Sequence, residues 1–132
     1  MPNAFVHVEL NTDDVAAAKK FYKSVFKWKL ADQKTGPGMT YTLIDVGKGT
    51  PGGMQKKPMA DAPTAWLPYV QVDDVKKTMA KAGQAGAHVV VDYMPIPGTG
   101  ALGIFIDPTG AALGVWEPAR KGRKAAPKKK KR

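Results

Sequence analysis

The sequence predicts an α+β fold in which two tandem βαβββ modules form an open, cleft-bearing, barrel-like sheet with helices outside. Three observations predict it. An alternating segment, "NAFVHVEL", runs into one amphipathic helix and then three further strand-like segments. The same order of segments returns, beginning at "AWLPYVQV". Local echoes mark the return: "DDV" at 13–15 and 73–75, and "LID" at 43–45 against "FID" at 105–107.

Each element has its own warrant. Val6, Val8 and Leu10 alternate with Phe5, His7 and Glu9, so one strand face is apolar and the other carries His7 and Glu9. Thr12 is the expected N-cap, with Asp13 and Asp14 complementing the helix dipole. Val15, Ala18, Tyr22 and Val25 recur at helical spacing, with Phe21 and Phe26 widening the stripe, which predicts a helix over about residues 13–27. "WKLADQK" and "MTYTLIDV" read as strands around the turn "TGPG", and "GKGTPGG" leads into the short strand "MQKK". The linker "KPMADAPT" closes this half.

In the second half "AWLPYVQV" is a strand, and "DDVKKTMAKAGQAG" is a helix with acids at its start and Gly86 near its end. "HVVVDY", "LGIFID" and "AALGVWEP" are strands joined through "PIPGTG" and "PTG". The apolar faces of the two opening strands (Val6, Val8, Leu10; Trp66, Pro68, Val70, Val72) should meet the helices. The opposite faces (His7, Glu9; Leu67, Tyr69, Gln71) should line the cleft.

Composition excludes several classes. The 132 residues include no cysteine, so disulfides and thiolate metal sites are ruled out. No segment reaches the ~18 consecutive apolar residues of a membrane helix, and "MPNAFVHVEL" lacks a signal peptide's basic and apolar regions, so no membrane span and a cytoplasmic location are expected. The formal net charge of +10 is concentrated: residues 120–132 hold nine basic side chains and no acid, leaving +1 on the remainder. The expected organisation is a domain over 1–118, with modules at about 3–57 and 65–118, followed by a basic, disordered tail at 119–132. Such a tail solubilises, or makes weak contact with nucleic acid or an anionic surface. Its "PKKKKR" is similar to a nuclear-import signal. The glycine-rich turns neither precede a helix nor end in Gly-Lys-Ser/Thr, and no Gly-x-Ser-x-Gly elbow occurs, so phosphate-loop and hydrolase-triad readings fail.

The segments "HVELNTDDVAAAKKFY", "YVQVDDV" and "FIDPTGAALGVWEP" resemble the vicinal oxygen chelate superfamily of glyoxalases, bleomycin-resistance proteins and extradiol dioxygenases, over about residues 3–118. The resemblance implies four inward metal-ligand positions, one on the first and one on the last strand of each module. They fall on His7, Leu67, Gly53 and Gly114, and only His7 has a coordinating side chain. A divalent metal needs three or four protein ligands. No metal cofactor is therefore expected; the alternative is a divalent metal at an improvised His7–Glu9–Gln55 site.

Alternation from these positions turns Ala112, Gly114 and Trp116 inward and Leu113 and Val115 to the helix, with Tyr41 and Phe105 inward and Ile44 and Ile106 in the core. The cleft would then bind a small, planar, partly aromatic or unsaturated molecule among Tyr41, Gln55, Tyr69, Gln71, Phe105 and Trp116. His7 and Glu9 are the candidate catalytic pair for metal-independent acid–base chemistry of lyase or isomerase type, the carboxylate favouring the charged imidazole. The bland counterpart is aromatics that merely fill a barrel and a His7 satisfied by Glu9. The alternative functions are a non-enzymatic, ligand-sequestering protein of the resistance type, or an interaction module acting through the tail. Exposed sheet edges predict a homodimer, and His88 is expected at the surface.

Overall fold

A computed structural model describes residues 3–119. It contains the ten expected elements in the expected order: β1 (Phe5–Thr12), α1 (Val15–Val25), β2 (Lys29–Gly36), β3 (Met39–Asp45), β4 (Gly52–Lys56), β5 (Ala65–Gln71), α2 (Val75–Gln84), β6 (His88–Ile96), β7 (Gly100–Ile106) and β8 (Ala112–Pro118). The fold is α+β, with two βαβββ modules in succession. The chain divides into two compact units, Phe5–Tyr69 and the part from Val70 onward together with residues 3 and 4. The basic tail, from residue 120 on, lies outside the described residues.

In the Phe5–Tyr69 unit the strands run in the order β2-β3-β4-β1-β5. β1 pairs in parallel with β4, so that Glu9 stands opposite Gly53 and Asn11 opposite Gln55. β3 runs antiparallel to β4, with Leu43 opposite Gly53 and Ile44 opposite Gly52. Partners across a ladder share a face, and faces alternate along each strand. Leu10, Ile44 and Met54 therefore fall together and form the core, against which Val15, Ala18 and Tyr22 of α1 pack along with Trp28, Leu30 and Trp66. Tyr22 stacks on Trp28, and the Trp66 indole donates to its hydroxyl at 3.3 Å.

Helix α1 starts two residues later than the sequence suggested. Asp14, not Thr12, is the N-cap: its carboxylate accepts the Ala17 N–H at 2.9 Å. Thr12 Oγ1 instead receives the Asp14 N–H at 3.3 Å, inside the approach turn. Asp74 repeats the cap on α2, accepting from the Lys77 N–H at 3.0 Å.

In the second unit β8, β7 and β6 are consecutive neighbours, and α2 supplies the core. Val72, Val75, Met79 and Val115 are buried together, with Val89 and Phe105 packed against them. Gly103 lies beneath α2, where an added Cβ would come within 2.9 Å of Met79. Glu117 accepts the Val75 N–H at 2.8 Å, tying β8 to the start of α2.

Phe105 corrects an expectation: it belongs to this core and not to the cleft face. Phe105 pairs with Leu113, as Ile44 pairs with Gly52. The structural counterpart of Phe105 is thus Ile44, and the "LID"/"FID" echo aligns the two hairpins one residue out of step. A one-residue slip turns every side chain to the other face. Leu113 and Val115 do share the helix-facing side with Phe105, while Trp116 pairs with Leu102 on the opposite face.

Candidate active site

The chemistry-bearing side chains of the Phe5–Tyr69 unit converge on one carboxylate. β1 presents His7, Glu9 and Asn11 on one face by simple alternation. The ladder to β4 places Gly53 beside Glu9 and Gln55 beside Asn11. Tyr41 comes from β3 and Tyr69 from β5.

Glu9 is 7 % exposed, and burying an acid is costly unless its oxygens are satisfied. Four donors do this. The Tyr41 hydroxyl donates to Oε1 at 2.9 Å. Oε2 accepts from the Tyr69 hydroxyl at 3.3 Å, Asn11 Nδ2 at 3.2 Å and Gln55 Nε2 at 3.3 Å. Gln55 also donates to Asn11 Oδ1 at 2.9 Å, which locks the two amides together. The His7 imidazole joins through Nε2, 2.7 Å from the Tyr41 hydroxyl, and its ring meets Tyr69 edge-on.

His7 is not satisfied by Glu9 directly; the Tyr41 hydroxyl stands between them. Burial lowers the His7 pKa below its ordinary value and outweighs the opposing pull of Glu9. The net effect is a neutral imidazole, the reverse of the charged form anticipated from the carboxylate alone. Both phenols are pushed up, first by burial and then by the charge of Glu9, so they remain hydrogen-bond donors.

Five of the eight residues singled out in the sequence therefore meet in one network: His7, Glu9, Tyr41, Gln55 and Tyr69. Gln71 is exposed and Trp116 faces away from α2, both in the second unit, and Phe105 is core there. His88 is exposed at the start of β6, as expected. Asn11 was missed, although the same alternation that selects His7 and Glu9 reaches it two residues further on. An apolar cavity of about 240 Å³, walled by Val8, Trp28, Ile44 and Trp66, opens on the opposite face of this sheet and is separate from the polar network.

The residues present do not fit a metal of the family's type. Among the described residues no group of three or more His, Cys, Asp or Glu side chains could hold one. Position 53, where the first module's last-strand ligand would stand, is glycine, and any Cβ there would overlap the Tyr41 ring and hydroxyl. Tyr41 thus fills the ligand's space and also engages His7 Nε2. Gln55 is committed to Glu9 and Asn11.

Comparison with known proteins agrees with this architecture. A family model described as glyoxalase/bleomycin resistance protein/dioxygenase superfamily matches residues 4–115. A Mycobacterium tuberculosis protein provisionally named as a glyoxylase, CFP32, is 34 % identical over 125 residues, covering 86 % of this chain and 45 % of its own length. The anthracycline biosynthesis protein DnrV of Streptomyces peucetius is 31 % identical over 135 residues, covering 92 % of this chain and 48 % of that protein. The chain thus spans about half the length of these relatives. Among solved structures, the hypothetical protein BH1468 of Bacillus halodurans aligns with a TM-score of 0.70 at 12 % identity, over 92 % of this chain and 99 % of the other. Matched over most of its length by the family model and by relatives above 30 % identity, the chain belongs to the glyoxalase/bleomycin resistance protein/dioxygenase superfamily.

Proposed function

We propose that the chain binds a small, planar, partly aromatic or unsaturated molecule beside His7, and acts on it by metal-independent proton transfer of isomerase or lyase type. The observation that carries the reading is the network around Glu9. A neutral imidazole is held by a phenol that is itself anchored on a buried, fully bonded carboxylate. An imidazole kept neutral is a base at ordinary pH, and a fixed hydrogen-bonded ring is ready to accept a proton without reorganising. The aromatic side chains Tyr41 and Tyr69 flank it and suit a flat ligand. The relationship to an anthracycline biosynthesis protein supports a polycyclic, unsaturated ligand.

In this reading the protein needs no Lewis acid, because His7 is the group that takes the proton and Glu9 supplies the compensating charge. The saturation of Glu9 favours one second reading, a ligand-sequestering protein of the resistance type, in which the network only shapes the site. A planar quinone such as an anthraquinone, titrated calorimetrically into wild type and His7→Ala, tests the proposal. Binding to wild type that weakens at least about tenfold in His7→Ala, with an unchanged circular dichroism spectrum, is expected, since removing one good polar contact to a ligand costs about 1.4 kcal/mol or more. Equal binding by both forms, or none by wild type, defeats it. Solvent-deuterium exchange into a bound quinone-type ligand that carries an sp³ C–H next to a carbonyl separates catalysis from sequestration.

A further inference from the structure

We propose that His7 works through Nδ1, in a tautomer fixed by Tyr41, and that Tyr41 is a positioning residue coupling the imidazole to Glu9. The inference rests on the reading of His7 as a base and names the atom that does the work. It follows from counting hydrogens. The Tyr41 hydroxyl has one, and that one is directed at Glu9 Oε1, 2.9 Å away. Only an oxygen lone pair is left to face His7. Nε2 lies 2.7 Å from that oxygen, so Nε2 carries the ring hydrogen and donates it.

The reverse orientation is excluded by the carboxylate. If Tyr41 donated to His7, its oxygen lone pairs would face Glu9 Oε1 at 2.9 Å with no hydrogen between two acceptors. Glu9 would then be left buried with an unsatisfied oxygen, an expensive arrangement in a low-dielectric site.

A neutral imidazole with its hydrogen on Nε2 keeps its lone pair on Nδ1. Among the described residues no hydrogen bond reaches Nδ1, and His7 is only partly buried. Nδ1 is therefore the atom free to accept a proton. The step balances without a co-reactant. A substrate C–H proton moves to Nδ1, the electrons of that bond stay on the substrate as an enolate-type anion, and the imidazolium returns the proton to the same or an adjacent atom. Glu9 takes no proton in this sequence, because its oxygens are already committed to four donors. Its charge reaches the imidazolium through Tyr41.

The test uses the full chain, uniformly labelled with ¹⁵N, and two-bond proton–nitrogen correlations of its two histidines without ligand. His88→Gln assigns the signals. In wild type, His7 is expected with a protonated Nε2 and a bare Nδ1. In Tyr41→Phe, the hydrogen should distribute over both nitrogens while the His88 pattern stays as it was. A wild-type His7 with its hydrogen on Nδ1 overturns the proposal, and does so whether or not Tyr41→Phe folds. Persistence of the single Nε2–H tautomer in a folded Tyr41→Phe overturns the positioning role. Because the spectrum is read without ligand, failure of the proposed binding function and failure of this tautomer assignment are separate results.

Discussion

Glu9 has the most to lose of any side chain in the chain's first unit. A buried carboxylate deprived of one donor incurs the desolvation cost of the oxygen left bare, about 1–3 kcal/mol. Tyr41→Phe removes the donor to Oε1 while leaving the ring volume unchanged, so stability should fall by about that amount. A urea-midpoint comparison with wild type measures it, and an unchanged midpoint would mean that the bond contributes nothing. Alternation within each strand, anchored on the positions that the family resemblance supplies, puts His7, Glu9, Tyr41, Gln55 and Tyr69 on one face. The order in which they bond was not legible, because it depends on ladder register between strands distant in sequence. Alternation says which face a side chain takes, and register says which neighbour it meets. The same gap explains the imidazole. The nearness of Glu9 could be read from the sequence, but the burial that outweighs it could not.

At the scale of elements, caps and hairpins account for what the sequence showed and what it hid. All ten elements were legible because periodicity and turn residues are local signals. The cap of α1 stands two residues beyond the expected one, since threonine followed by two aspartates offers three capping side chains and only backbone geometry chooses among them. Asp14→Ala should cost about 1 kcal/mol, the usual value of an N-cap, and Thr12→Ala distinctly less. Thermal melts of the two variants rank them, and a larger loss for Thr12→Ala would reverse the assignment. Phe105 departs from expectation because the face a third-strand residue takes depends on hairpin register, which the three-residue echo does not preserve. The pairings Ile44–Gly52 and Phe105–Leu113 show that the echo is displaced by one.

For the molecule as a whole, the neutral imidazole of His7 links stability to pH. Folding lowers the His7 pKa, so as pH falls the unfolded chain takes up this proton first, near its ordinary value of about 6.5. Below that point the unfolded state binds more protons, and stability declines with falling pH until the folded value is passed. Above about pH 6.5 the contribution is complete. His7→Gln, which keeps a polar group but cannot titrate, removes this slope. The wild-type minus His7→Gln difference in unfolding free energy should therefore move against wild type between about pH 7.5 and pH 5. A difference independent of pH over that range would show that His7 titrates normally in the folded chain.

The occupation of the space over Gly53 by Tyr41 also constrains what this chain can become. A side chain at 53 would displace the phenol at 41 from its present place, so the two positions are coupled. Any larger residue at 53 is harmful while Tyr41 stays, and losing Tyr41 first strips a donor from Glu9. Each path toward a metal-type ligand at position 53 begins with a loss of stability. Positions 41 and 53 therefore exchange roles without a less stable intermediate only if they change together.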